Sequence, residues 1–260
     1  MTRRFHVYAA LAGAVLLLAS AGPPASGAAR TVGDPLQPDL VNLRPREIGL
    51  SITPGGKHRL RFTTYTVNTG AGPMELRSRR FDCDGNGNTL DDRTAVQHTY
   101  LDADGDEIFE PSTDTASTPN VAGCFRYDAK HGHWHFGDFE VFRLLDPQSG
   151  GVVAAHHKVG FCLVDDFATY PNLPGAPGRP RYDRCAQDAT QGISIGWTDI
   201  YSSTLPSQWI DVTHVPLGRY CLAIGVDPAN RLQESDDTNN TATMLIRLAT
   251  HRVVTLDRSC

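Results

Sequence analysis

A second long apolar run is missing from this sequence. Beyond the N-terminal VYAALAGAVLLLASA, nothing approaches the roughly 20 apolar residues that a membrane helix needs, which argues against a helical membrane protein. Basic excess is missing too. Lys and Arg number 24 against 29 Asp and Glu, giving a formal charge of −5, so nucleic acid and anionic membrane are poor partners. No CxxC pair occurs among the six cysteines, which removes the usual zinc-knuckle and redox motifs. Helical periodicity is nearly absent, and neither an internal repeat of solenoid length nor a domain linker is visible.

What is present begins with the leader. Arg3 and Arg4 precede the apolar run, and the small-residue segment ASGA ends near Ala28, so residues 1–28 read as a secretory signal peptide. Its removal takes two arginines and no acids, moving the charge from −5 to −7. The remainder, 29–260, is expected to be one domain in a secreted protein, large enough to bury its own core. In an oxidising compartment six cysteines are expected to form disulfides. Sequence leaves their connectivity open; the pairing expected is Cys83 with Cys124, Cys162 with Cys185, and Cys221 with Cys260.

Short β-rich runs separated by Gly, Pro, Asn and Asp recur throughout: 58–68, 140–146, 157–165, 208–213, 219–227 and 241–248. They predict an all-β fold, a β-sandwich with long loops and few, short helices. The stretches Asp82 to Asn120 and Pro171 to Arg181 read as the longest loops, of the kind that carries function or holds an ion.

The sharpest local signal is HGHWHFGDFE, residues 131–140. On a strand, alternate residues share a face, so His131, His133 and His135 would project together, roughly 7 Å apart at neighbouring same-face positions. Neutral imidazoles that converge suit copper, zinc, iron or nickel, and the spacing alone does not choose among them. A second oxygen-rich run, QESDDTNN, supplies Glu234, Asp236, Asn239 and Asn240 in a turn, which favours calcium or simply caps a hairpin. Asp82 to Asn88 and Leu101 to Glu110 look like partial calcium loops without the register of an EF-hand.

The blocks HGHWHFGDFEVFRLLDPQSGGVVAAHHKVGFCLVDD and TQGISIGWTDIYSSTLPSQWIDVTHVPLGRYCLAIGVDPANRLQESDDTNN, with PDLVNLRP and LRFTTYTVNTG upstream, together resemble the catalytic domain of the lysyl oxidases. The resemblance implies a copper enzyme that converts a primary amine to an aldehyde, releasing ammonia and hydrogen peroxide. It implies Cu2+ on His131, His133 and His135, and a lysine tyrosylquinone made from Lys158 and Tyr201. Copper can oxidise a tyrosine ring with dioxygen, whereas zinc has no accessible redox change. A deprotonated lysine then adds to the ring, and the finished quinone accepts electrons once a base removes the substrate's α-proton.

Asp138 is the expected base, or alternatively the group that orients a ligand imidazole; the animal enzymes carry a further histidine where this chain has Val141 and Phe142. The resemblance also implies a structural calcium ion held by Asp39, the backbone of Leu40, Glu234, Asp236, Asn239 and Asn240. Expected partners are dioxygen and a primary amine, either small or within a lysine-containing peptide or protein, with no nucleic acid and no membrane. Two other readings remain: a secreted, non-catalytic metal-binding β-sandwich that serves adhesion, and a zinc hydrolase in which Lys158 and Tyr201 stand idle.

Overall fold

The computed structural model describes residues 32–260 apart from 159, 186–189 and 257, so the expected leader lies outside the described residues. In chain order the strands begin with β1 (Pro35–Leu36), β2 (Leu40–Asn42), β3 (Arg46–Ile52), β4 (His58–Asn68) and β5 (Met74–Arg79). There follow β6 (Asp92–Leu101), β7 (Ser117–Asp128), β8 (His133–Phe136), β9 (Glu140–Leu145), β10 (Val152–His157) and β11 (Phe167–Ala168). The last six are β12 (Gln191–Ile193), β13 (Trp197–Tyr201), β14 (Trp209–Asp211), β15 (Gly218–Val226), β16 (Thr241–Ala249) and β17 (Arg252–Thr255). There is no helix among the described residues, and the fold is all-β, as the turn-rich sequence predicts.

Three antiparallel sheets are formed: β12-β5-β6-β7-β8 with β1 beside β6, β10-β9-β15-β16-β17, and β11-β13-β4-β14 with β2 and β3 also on β4. One hydrophobic cluster joins all three, drawing Leu76, Phe125 and Phe136 from the first sheet, Phe142, Leu144, Leu222 and Ile246 from the second, and Leu60 and Phe62 from the third. Phe62 and Phe142 meet edge to face at 4.9 Å, and burial of side chains this size contributes about 1.5–3 kcal/mol each.

Strand β4 is the hub of this arrangement. Its period-two face starts apolar, with Leu60 and Phe62 in the core, and turns polar at Thr64, Thr66 and Asn68, all buried. The same strand therefore supports the core at one end and a buried polar network at the other.

Two segments depart from the sequence expectation. The run 82–120 is not one long loop, because it contains β6 and the start of β7. Its strand character is hidden because much of what β6 buries is polar: Asp92, Gln97, His98 and Thr99. Conversely, 157–165 is not a strand. Beyond β10 the chain makes only an isolated bridge between Phe161 and Phe136, and its apolar residues Phe161 and Leu163 are buried individually rather than through a ladder. The three disulfides, Cys83–Cys124, Cys162–Cys185 and Cys221–Cys260, agree with the expected pairing.

Candidate active site

The histidine block is half strand and half turn. His133 and His135 are alternate residues of β8, while His131 lies in the hairpin turn from β7, where Gly132 takes a φ of +73° that favours glycine. The Asp128 carbonyl accepts the N–H of His131 and of Gly132 and closes this turn. The result brings all three rings together. One ring nitrogen from each lies within 4.8 Å of the others, and Nε2 of His133 stands 2.9 Å from Nε2 of His135.

The second nitrogens show which atoms are free for a cation. His133 Nδ1 is 3.1 Å from the His131 carbonyl, which can only accept, so Nδ1 donates and Nε2 is the nitrogen turned to the cluster. Asp128 plays the same part for His131, with its carboxylate 3.0 Å from His131 Nδ1, and the same oxygen lies 3.6 Å from His135 Nδ1. Burial, followed by the charge of His133, lowers the His135 pKa to about 4, so that ring stays neutral. Three converging imidazoles, two of them with the second nitrogen turned to an oxygen acceptor, fit a late first-row divalent ion.

The lysine block reaches this cluster through the Phe136–Phe161 bridge, in which each residue donates its N–H to the other's carbonyl at 2.6 and 2.8 Å. Gly160 makes the approach possible, since a Cβ there would sit 2.6 Å from the Cβ of His135. Lys158 is thereby buried, with Nζ 3.2 Å from the centroid of the Tyr201 ring and 4.3 Å from that of Phe161. Tyr201, the last residue of β13, is held through its hydroxyl, which donates to the Cys162 carbonyl at 2.9 Å and accepts the Cys162 N–H at 2.5 Å. The imidazoles, Lys158 and Tyr201 all line one open cavity of about 420 Å³, together with Asp128, Asp166 and Asp199.

Burial dominates the electrostatics. It lowers the Lys158 pKa from 10.5 to about 8, against the opposing charges of Glu140 and Asp199. It pushes Glu140 up to about 7, and pushes Asp199 and the Tyr201 phenol well above their ordinary values. The hydrogen bonds from Thr66 and Thr64 oppose the effect of burial on Glu140. Thr66 has one hydroxyl proton, yet its oxygen lies 2.7 Å from Asn42 Oδ1 and 2.9 Å from Glu140 Oε1. Asn42 Nδ2 faces two backbone carbonyls, so its Oδ1 is turned to the Thr66 hydroxyl, which is placed to donate to that oxygen or to Glu140 Oε1. Glu140 accepts from Thr64 through Oε2, while Thr64 accepts from Gln208 Nε2 and Gln208 Oε1 lies 3.4 Å from Lys158 Nζ.

Asp138 stands apart from all this. It occupies an exposed turn between β8 and β9 with a φ of +57° and does not line the cavity. The ring-orienting work expected of it falls to Asp128 and the His131 carbonyl. Sequence reading passed over Asp128, Glu140, Asp199 and Gln208. Asp128 could have been found as the acid three residues before the first histidine, and Asp199 as the same-face neighbour of Tyr201; Glu140 and Gln208 carry no local signal.

The oxygen-rich turn is also assembled, on the far side of β4. Glu234 Oε2 accepts the Leu40 N–H at 2.6 Å and Oε1 accepts from Asn240 Nδ2 at 3.1 Å, while Asn239 Nδ2 donates to Asp39 Oδ1 at 2.8 Å. The side-chain oxygens of Asn239 and Asn240 are buried with no hydrogen-bond partner. Glu234, buried and with no cationic side chain in hydrogen-bonding range among the described residues, has its pKa pushed up to about 8, chiefly by burial. Orphaned oxygens beside a carboxyl short of positive charge fit a hard cation. Asp236 is exposed and engaged instead with the backbone and hydroxyl of Thr238. Separately, Asp82, Asp84 and Asp92, and Asp102, Asp104 and Asp106, form two further acidic groups.

An all-β chain that sets three converging imidazoles beside a lysine stacked on a tyrosine has the parts of a metal-dependent redox protein. The sequence profile of the lysyl oxidases matches residues 97–259, more than half of the chain, and the chain belongs to the lysyl oxidase family. Human lysyl oxidase homolog 1 is 40% identical over 111 residues, 42% of this chain and 18% of the human protein. Human protein-lysine 6-oxidase is 38% identical over 122 residues, 46% of this chain and 27% of its own length. The pig protein-lysine 6-oxidase is 38% identical over 122 residues, 46% of each chain. The matched segment thus spans less than half the length of each of these relatives.

Proposed function

We propose that this protein is an exported copper-dependent amine oxidase that converts primary amines to aldehydes with dioxygen as acceptor, through a quinone formed from Lys158 and Tyr201. The observation that carries this reading is Lys158 Nζ lying 3.2 Å over the Tyr201 ring at the wall of a cavity that also holds the three imidazoles. A zinc hydrolase or a passive binding module has no use for a buried lysine pressed on a phenol ring. Family membership and the disulfides support the oxidase and the exported setting respectively.

In this reading His131, His133 and His135 hold copper, which supplies the one-electron chemistry that oxidises a phenol with dioxygen. Asp128 fixes the His131 ring, and the Cys162 backbone holds the phenol oxygen. Low polarity around Lys158 favours the free amine, the form able to add to an oxidised ring. The finished cofactor then provides the electron sink for amine oxidation. The acidic chain favours cationic amines, including lysine side chains of peptides or proteins, by long-range attraction. We assign calcium to the site of Asp39, Leu40, Glu234, Asn239 and Asn240, in a structural role.

The test is peptide mapping of copper-loaded protein after exposure to air. A cross-linked peptide containing Lys158 and Tyr201, and a coloured adduct with phenylhydrazine, are expected. Separate Lys158 and Tyr201 peptides at full copper occupancy would leave only the metal-binding β-sandwich.

A further inference from the structure

We propose that Asp199 is the catalytic base that takes the α-proton of the amine. The inference rests on the oxidase reading above and names a group that it leaves unassigned.

Asp199 lies two residues before Tyr201 on β13, so the two side chains leave the strand on the same face, and both line the cavity with Lys158. Only 2% of Asp199 is exposed, and neither carboxylate oxygen makes a hydrogen bond; the Val164 N–H tempers its charge but falls outside hydrogen-bond geometry. A buried carboxyl without partners carries a desolvation cost of about 1–3 kcal/mol or more. Its retention on the wall of a reaction cavity calls for a chemical use.

The other acids nearby are committed. Asp128 accepts from the backbone of Lys130 and His131 and orients the His131 imidazole. Asp166 accepts the Ile200 N–H at 2.8 Å. Glu140 sits behind the cavity wall, satisfied by Thr64 and Thr66. Asp199 alone among these combines burial, a cavity-facing position and free lone pairs.

Its surroundings suit a base. Burial first, then the charges of Asp166 and Glu140, raise its affinity for a proton, and Lys158 opposes them. Once the Lys158 nitrogen is joined to the Tyr201 ring it is no longer an ammonium, so this opposition disappears in the mature protein. In the step proposed, the Cα–H bond of the ring-bound amine breaks, the proton passes to an Asp199 oxygen, and the bonding electron pair reduces the ring. Water then releases the aldehyde. Dioxygen removes two electrons and two protons as hydrogen peroxide, one of those protons being that held by Asp199, and the amine nitrogen leaves as ammonia.

The experiment uses the copper-loaded full chain with Asp199→Asn and Asp199→Glu. Phenylhydrazine has no α C–H bond, so its adduct, read by absorbance and intact mass, reports the cofactor without calling on the base. Anaerobic single turnovers with benzylamine and its α-deuterated form then report proton removal.

Wild type and D199N are expected to give equal adduct, with aldehyde release at least 100-fold slower in D199N and the amine trapped on the protein by borohydride. D199E, which moves the carboxylate by one methylene, should recover part of the rate and retain a deuterium effect. A D199N single-turnover rate within threefold of wild type at equal adduct overturns the assignment. Should D199N fail to mature, D199E decides: a tenfold fall with intact adduct supports the base, and an unchanged rate overturns it. Absence of adduct in the wild type is a different failure, that of the oxidase reading itself.

Discussion

Maturation should follow the ionisation of Lys158. Only the free amine can add to an oxidised ring, and burial brings the Lys158 pKa from 10.5 to about 8. At pH 7 this raises the amine fraction from about 1 in 3,000 to about 1 in 10, a gain of roughly 300-fold in the reactive species. The source is loss of hydration around a lysine that is only 6% exposed, with a hydrogen bond to Gln208 at 3.4 Å. Metal-free protein would be mixed with copper in air-saturated buffers from about pH 6 to 10, and cross-link formation followed by intact mass. The rate is expected to climb about tenfold per pH unit and level off near pH 8. A climb that continues through pH 10 would refute the claim that the site desolvates Lys158, and a flat profile would show that lysine deprotonation does not limit the step.

The metal centre gives a second prediction: His133→Ala, which removes the ring closest to His135, should lose copper by elemental analysis and form no cross-link, while circular dichroism stays that of a β protein. A third concerns the oxygen-rich turn. Glu234 has its folded pKa raised from 4.5 to about 8, so without a cation its contribution to stability is full below about pH 4.5 and is lost as pH rises through about 8, each pKa unit being worth ~1.4 kcal/mol. Thermal melts of cation-free protein should therefore fall between about pH 5 and 9, and calcium should raise the melting temperature more at pH 8 than at pH 5; equal shifts at both would remove Glu234 from the site. Finally, Cys221→Ser with Cys260→Ser opens a link of sequence separation 39 and should cost about 3 kcal/mol in denaturant unfolding while leaving the phenylhydrazine adduct intact.

Much of the site was legible because its residues sit in local patterns. The alternating histidines, the lysine before FCL and the tyrosine before QWID each stand in a block recognisable without a structure. What could not be read was how the blocks meet. The approach of Lys158 to the imidazoles depends on Gly160 sliding past His135, and on an isolated bridge to Phe136 that leaves no periodic trace. Asp138 looked like the natural acid because it follows the histidines by three residues, but the left-handed turn after β8 carries it outward. The acids that face the cavity come from other parts of the chain, Asp128 from β7 and Asp199 from β13. Strand β6 is hidden for a related reason: it is buried on both faces, and Asp92, Gln97, His98 and Thr99 are among its buried residues, whose polarity reads as loop until their partners are known.

The polar ladder along β4 has a consequence for when the chain becomes reactive. Asn240 donates to Glu234, and its carbonyl accepts from Asn42; from there the links run through Thr66, Glu140, Thr64 and Gln208 to Lys158. One rung comes from the opening of the domain and another from nearly two hundred residues later, so the setting of the lysine is complete only when both ends are home. A chain with either end undocked lacks part of that frame, so the low polarity that frees the Lys158 amine belongs to the completed fold.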